Sequence, residues 1–398
     1  MTHPAPYTII SSDCHAGANH AVYREYLDSA FHQRFDEWRG RYKNPFRDLQ
    51  DDGRSRNWDN ERRVAELGAD GIVAEVVFPN TVPPFFPTGV VIAQAPTTRE
   101  DYELRLAGIR AHNRWLVDFV AALPGRRVGL GQLLLNDLDE ALTDVRWMAD
   151  HGIDGVLLPG VAPNTGIEPL YSPSYDPLWQ LCIDLGLSVT HHGGGSGMPD
   201  FGSYPSSTVM YMLEAPFFAN RVLWHLTMSG VFERFADLVF IMTEQGSAWI
   251  PETLDRMDAM HSAMVAGKFG ELGPSAVALP RAPSEYFAQN CWVGCSFPPP
   301  SDSAVIRSVG IDRFMWGSDY PHREGTYPYT RESLRRTFPG WSEAELRALL
   351  GETAARVYGF DLDVCNAAAA ALGPSVDELA VPLEHVPADA ASPAFTRD

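Results

Sequence analysis

Apolar residues in this chain form short, often β-branched runs separated by longer stretches in which an apolar residue recurs every third or fourth position. The first run, Tyr7-Thr8-Ile9-Ile10, predicts a strand that stops at Asp13-Cys14-His15. Residues 17–60 then show no clear strand and carry Trp38, Tyr42, Phe46 and Trp58, so a long aromatic insertion packed as a lid is expected after strand one. From Asp59 the alternation is regular. A charged helix with Val64 and Leu67 on one side feeds Ile72-Val73-Ala74-Glu75-Val76-Val77-Phe78, and a second helix is predicted over about 98–123. Pro83-Pro84-Phe85-Phe86-Pro87 between them reads as a stiff apolar loop.

Further strands are predicted at Val128–Leu135, Gly155–Pro159, Leu187–His192, Leu238–Glu244, Cys291–Phe297 and Arg313–Asp319. With the first two, strands begin near residues 7, 72, 128, 155, 187, 238, 291 and 313, separated by helices. That is the count of a (β/α)8 TIM barrel, an α/β fold. A doubly wound sheet also alternates strand and helix, but it usually carries a Gly-rich turn after the first strand, where this chain has Asp13-Cys14-His15. One barrel over residues 1–362 is expected, with an extended or partly disordered C-terminal tail over 363–398, where the composition shifts to Ala, Pro, Asp and Glu.

Composition narrows the partners. The 31 basic and 51 acidic residues give a formal charge of −20, which argues against nucleic acid and against anionic membrane surfaces. No signal segment and no membrane-length apolar run is visible, and the five cysteines have no disulfide-framework spacing, so a cytoplasmic enzyme with a small-molecule substrate is expected, as a homo-oligomer. Cys291 and Cys295 read as core thiols.

Chemistry collects at the strand ends, where barrels place their reactive groups. Asp13 and His15, two residues apart on a strand, project to one face roughly 7 Å apart. Strand five ends in His191-His192, strand six in Glu244 and strand eight in Asp319. Each is a group able to bind a divalent cation. His112 and His151 lie on predicted helices and read as structural, whereas His322, beyond Asp319, is a candidate for substrate contact. Phe85, Phe86, Phe217 and Phe218 suit either core or an apolar substrate cavity, and Phe85 and Phe86 are taken as candidate substrate contacts.

Four segments together resemble the amidohydrolase superfamily, in its amidohydrolase-2 or aminocarboxymuconate-semialdehyde decarboxylase-like branch. They are Ser12-Asp13-Cys14-His15, Thr190-His191-His192 with the glycines 193–195, the 230–238 stretch from Gly230 to Leu238, and Trp316-Gly317-Ser318-Asp319-Tyr320-Pro321-His322. The resemblance implies metal ligation by Asp13, His15, His191 and Asp319, with Asp319 also placed to orient or deprotonate water. His191 is favoured over His192 as the strand-five ligand, which leaves His192 a catalytic candidate beside Asp319 and Glu244. Two departures stand out: Asp13 is a shorter arm than the His or Glu often found there, and Glu244 replaces a frequent catalytic His.

Charge bears on the reaction. Asp13, Glu244 and Asp319 against one divalent ion leave a site near −1 if all three are ionised, which disfavours a carboxylate substrate. A second ion held by Glu244 with His191 or His192, joined by His225, would remove the conflict and serve hydrolysis. The expectation is therefore a metal-dependent hydrolase, using one or two Zn, Mn or Fe ions to cleave an ester, thioester or amide carbonyl. The alternative is a nonoxidative metal-dependent decarboxylase of an aromatic or unsaturated acid.

Overall fold

The computed structural model describes residues 4–43, 51–80, 82–88, 93–195, 197–268 and 279–397. Eight parallel strands stand in sequence order: β1 Ile9–Ala16, β2 Ile72–Pro79, β3 Arg127–Gln132, β4 Gly155–Leu157, β5 Ser188–His192, β6 Phe240–Thr243, β7 Cys291–Ser296 and β8 Phe314–Gly317. The chain just past β8 returns to β1: Cys14 bridges Tyr320, Asp319 N–H donates to Asp13 O at 2.9 Å, and His15 N–H donates to Tyr320 O at 2.6 Å. The sheet thus closes where the expected ligands stand, and the (β/α)8 barrel is observed.

Strand alternation sorts the core in two. Ile10, Ala74, Val76, Val128, Leu130, Ile241 and Met315 form one buried cluster, joined by Tyr358 from the helix Thr353–Tyr358. Tyr358 lies within 3.4 Å of Thr190 Oγ1, beneath the end of β5. The residues of opposite phase, among them Val77, Val156, Val189, Phe240, Met242 and Trp316, pack in the larger cluster with the helix layer. Helices start where sequence supplies caps: Thr98 accepts from Asp101 N–H at 3.2 Å ahead of Arg99–Ala121, and Asp137 accepts from Asp139 and Glu140 N–H ahead of Leu138–Asp150.

Among its described residues the insertion after β1 contains two α-helices, His20–Tyr26 and His32–Arg39. Leu27, Phe35 and Trp38 form a small core with Phe85 and Ala111, and Trp38 Nε1 donates to Phe86 O at 2.8 Å. Phe46 lies outside the described residues. All five cysteines are buried free thiols. Among the described residues no helix is long and apolar enough to cross a membrane.

The expectation of an extended or partly disordered tail over 363–398 is corrected. Leu362–Leu372 is a helix, capped by Asp361, that places Cys365 and Ala369 in the core cluster that also holds Val73 and Ala74. Val376–Ala380 and Pro393–Thr396 are short helices packed on Thr330–Thr337. Alanine-rich sequence has low hydrophobic contrast, yet alanine is the best helix former and allows close approach. Gly373 shows that approach: a Cβ there would lie 2.2 Å from Tyr7 O.

Candidate metal centre and active site

Asp13 and His15 share one face of β1. His15 Nε2 lies 3.3 Å from Asp13 Oδ1 and 3.2 Å from Asp319 Oδ1, and His192 Nε2 lies 3.6 Å from Asp13 Oδ1 and 3.5 Å from Glu244 Oε2. Asp13 Oδ1, His15 Nε2, His192 Nε2 and Asp319 Oδ2 are all buried without a hydrogen-bond partner. Buried polar atoms are rarely left unpaired, so four in one place point to an occupant. Spacings of 3.2–3.6 Å are those expected between ligand atoms about 2 Å from a shared cation. The residues therefore fit a divalent ion.

Supporting contacts fix these side chains. Ser296 Oγ donates to Asp13 Oδ2, leaving Oδ1 aimed inward. His15 Nδ1 faces Pro79 O at 3.3 Å, which presents Nε2 as the free lone pair. Gly194 N–H donates to His192 Nδ1 at 3.1 Å, and ligation through His192 Nε2 would cost that bond by moving the ring proton. His322 bridges Asp319 Oδ1 and Asn80 Oδ1, each at 3.0 Å. Gly317 is required: a Cβ there would lie 2.8 Å from Asp13 Cβ. Glu244 and Asp319 both adopt left-handed backbone, φ 55° and 59°, which turns each carboxylate as its strand ends.

The expectation for strand five is corrected. His191 shares its phase with Val189 in the outer cluster, and its ring meets Gln245 Nε2 at 3.1 Å; His192 shares the phase of Thr190 and faces the barrel mouth. Burial, with the nearby His192, Arg221 and His225, pushes the His191 imidazole down to about 3, so it stays neutral. His225 stands on the helix Ser207–Met228 with its ring 5.0 Å from Tyr171 and does not line the cavity. Of the expected second-ion partners, His192 stands 3.5 Å from Glu244, whereas His191 and His225 are not brought to it.

Electrostatics divide the acids. Burial alone would raise Asp13, but hydrogen bonds and charge from His15 and His192 hold it well below the carboxylate range. Asp319 is likewise lowered against burial, by His322 and His15. His15, between them, is raised well above an ordinary imidazole despite burial. Glu244 moves the other way: desolvation and then the charges of Asp319 and Asp13 raise its carboxyl well above the usual range.

His15, His192, Glu244 and His322 open onto a cavity of about 930 Å³ walled by Phe78, Phe86, Leu133, Leu158 and Trp249. Phe86 and His322 line it. Phe85 does not: it is buried in the lid core with Phe35 and Trp38, because its positive φ of 70° turns it away from Phe86. Phe217 is exposed on the Ser207–Met228 helix, outside the cavity. Sequence reasoning missed Ser296, Asn80 and Gln245. Ser296 and Asn80 lie at the ends of β7 and β2, a position that could have flagged them, and Gln245 follows Glu244 directly.

Comparison with known proteins agrees with the fold. A family model described as amidohydrolase matches residues 13–360. An amidohydrolase from Mycobacterium avium subsp. paratuberculosis K-10 superposes with TM-score 0.64 at 19% identity, covering 89% of this chain and 99% of that one. The 5-carboxyvanillate decarboxylase of Sphingomonas paucimobilis superposes with TM-score 0.62 at 20% identity, covering 88% and 99%. Its counterpart from Novosphingobium aromaticivorans, an aspartate-to-asparagine mutant holding manganese and 3-methoxy-4-hydroxy-5-nitrobenzoic acid, gives TM-score 0.62 at 20% identity, covering 89% and 97%. No curated protein matches. At these identities the structures are similar in fold, while the family match spans most of the sequence: the chain belongs to the amidohydrolase family.

Proposed function

We propose that this chain is a metal-dependent, nonoxidative decarboxylase of an aromatic or unsaturated acid. The observation that carries the proposal is the orientation of His191. With that ring bonded to Gln245, His192 is the strand-five nitrogen left at the mouth, against both Asp13 and Glu244, so one ion held by Asp13, His15, His192 and Asp319 leaves a second ion at Glu244 without a strand-five nitrogen of its own. Two solved structures of similar fold are named as decarboxylases of a carboxylated vanillate, which supports the same choice.

Charge no longer opposes it. Burial and the charges of Asp319 and Asp13 push the Glu244 carboxyl upward, and with Glu244 in its acid form Asp13 and Asp319 would balance one divalent ion, leaving the site neutral rather than near −1. A carboxylate can enter. A divalent cation in this donor set supplies positive charge for the acid and for negative charge developing as CO2 departs. The bond between the carboxyl carbon and its neighbour breaks, the electron pair stays on the neighbouring carbon, and that carbon takes a proton. Glu244 holds that proton at the cavity wall. Asp319, tied to His322, would hold the ion, and the apolar walls exclude water from the carbanion.

Elemental analysis of manganese-loaded protein should give one ion per chain, and hydroxylated benzoates supplied to it should release CO2. Two ions per chain, with ester or amide cleavage and no CO2 from any acid, would overturn the proposal in favour of hydrolysis.

A further inference from the structure

The cavity wall contains two arginines, Arg105 and Arg397. Arg105 is committed: it forms a two-point pair with Asp101 at 2.7 and 2.6 Å and donates to Gln94 O at 2.6 Å. Arg397 differs. Its backbone N–H closes the last short helix on Pro393 O at 3.0 Å, and among the described residues no carboxylate forms an ion pair with its guanidinium. Its charge is felt by Asp302, which is buried and accepts from Ser247 Oγ at 2.5 Å.

The segment that delivers Arg397 is anchored. Ser392, Ala394 and Phe395 are buried, Arg336 Nε donates to Ala394 O at 3.1 Å, and the Phe395 ring meets Tyr329 edge-on with centroids 6.5 Å apart. Pro393 and Arg397 thereby join Phe297, Pro299 and Trp249 at the cavity wall. A cation without an ion-pair partner at the mouth of an apolar pocket, on a molecule of formal charge −20, suits an anionic ligand.

We propose that the C-terminal segment is part of the substrate site and that Arg397 is a binding residue for an anionic group of the ligand, a carboxylate or phenolate, reached across the cavity from the Asp13–His15–His192–Asp319 cluster. This rests on the proposed decarboxylation only for the identity of the ligand as an organic acid. The guanidinium, exposed at the rim of the cavity, offers paired N–H donors that match a carboxylate.

The test is calorimetric titration of manganese-loaded protein with benzoate, which lacks an activating hydroxyl, and with neutral benzamide. Arg397→Gln should weaken benzoate about tenfold or more and leave benzamide unchanged, and Arg397→Lys should recover part of the benzoate affinity. Equal benzoate affinity in wild type and Arg397→Gln, parallel loss of both ligands, or no benzoate binding to the wild type would overturn the proposal. Selective loss in a protein that releases CO2 from no acid would sink the decarboxylase assignment while leaving the anion site standing. CO2 release without dependence on Arg397 would do the reverse.

Discussion

Two adjacent histidines on β5 do different work because successive strand residues point to opposite faces. His192→Ala should therefore drop bound metal to near zero by elemental analysis. His191→Ala should keep its metal and lose roughly 1–3 kcal/mol in denaturant unfolding, since it strips Gln245 of a buried partner. Glu244→Gln should retain metal yet lose about 100-fold or more in turnover, because the amide cannot deliver a proton to carbon. Its pH profile gives a second readout. Glu244 is raised, so wild-type turnover should hold at lower pH and fall as pH rises through that elevated value, and the alkaline fall should be absent in the variant. Asp13, His15 and Asp319 were legible in the sequence because each ends a strand whose direction is fixed. The phase of β5 was not: Val189 and Thr190 are both fully buried, so no polar alternation marks which face looks into the mouth. Nor was the upward shift of Glu244, which comes from burial and from two carboxylates distant in the chain.

At the scale of elements, the β1 end is held from behind by a charged network. Arg63, from the helix Asn60–Ala69, donates to His15 O at 2.8 Å and pairs at 2.5 Å with Glu75 on β2, which also pairs with Arg127 on β3 at 2.7 Å. All three side chains are essentially inaccessible. Glu75→Gln would leave two buried guanidinium groups without a counter-charge and should cost about 3–5 kcal/mol at neutral pH. The sign with pH follows from Glu75, whose carboxyl is pulled down to about 2 by Arg63 and Arg127 against burial. Its stabilisation is present above the unfolded value near 4.5 and is lost as pH falls toward about 2, so the gap between wild type and variant should narrow on acidification. The strand starts were legible because β-branched runs bounded by glycine carry a strong signal, as Ile72–Phe78 does. The tail was not, because the Leu362–Leu372 helix is stabilised by small residues fitting against β2 rather than by an apolar stripe.

For the whole molecule, the formal charge of −20 bears on how an acid reaches the site. A net negative charge of this size repels an incoming carboxylate over distances comparable to the Debye length, which is about 30 Å at 0.01 M salt and about 8 Å at 0.15 M. Salt therefore screens the approach much more than the final contact, where Arg397 and a bound cation would act within a few ångströms. For a charged acid, kcat/KM should rise between those ionic strengths, with most of the change in KM, whereas an uncharged ester of the same acid should show binding independent of salt. A fall in kcat/KM for the acid would mean that local cations, not the acidic exterior, govern encounter. Stopped-flow or steady-state CO2 assays across a salt series would measure it, with the wild type and Arg397→Gln run side by side: the variant loses the local attraction, keeps the surface repulsion, and should show the steeper rise.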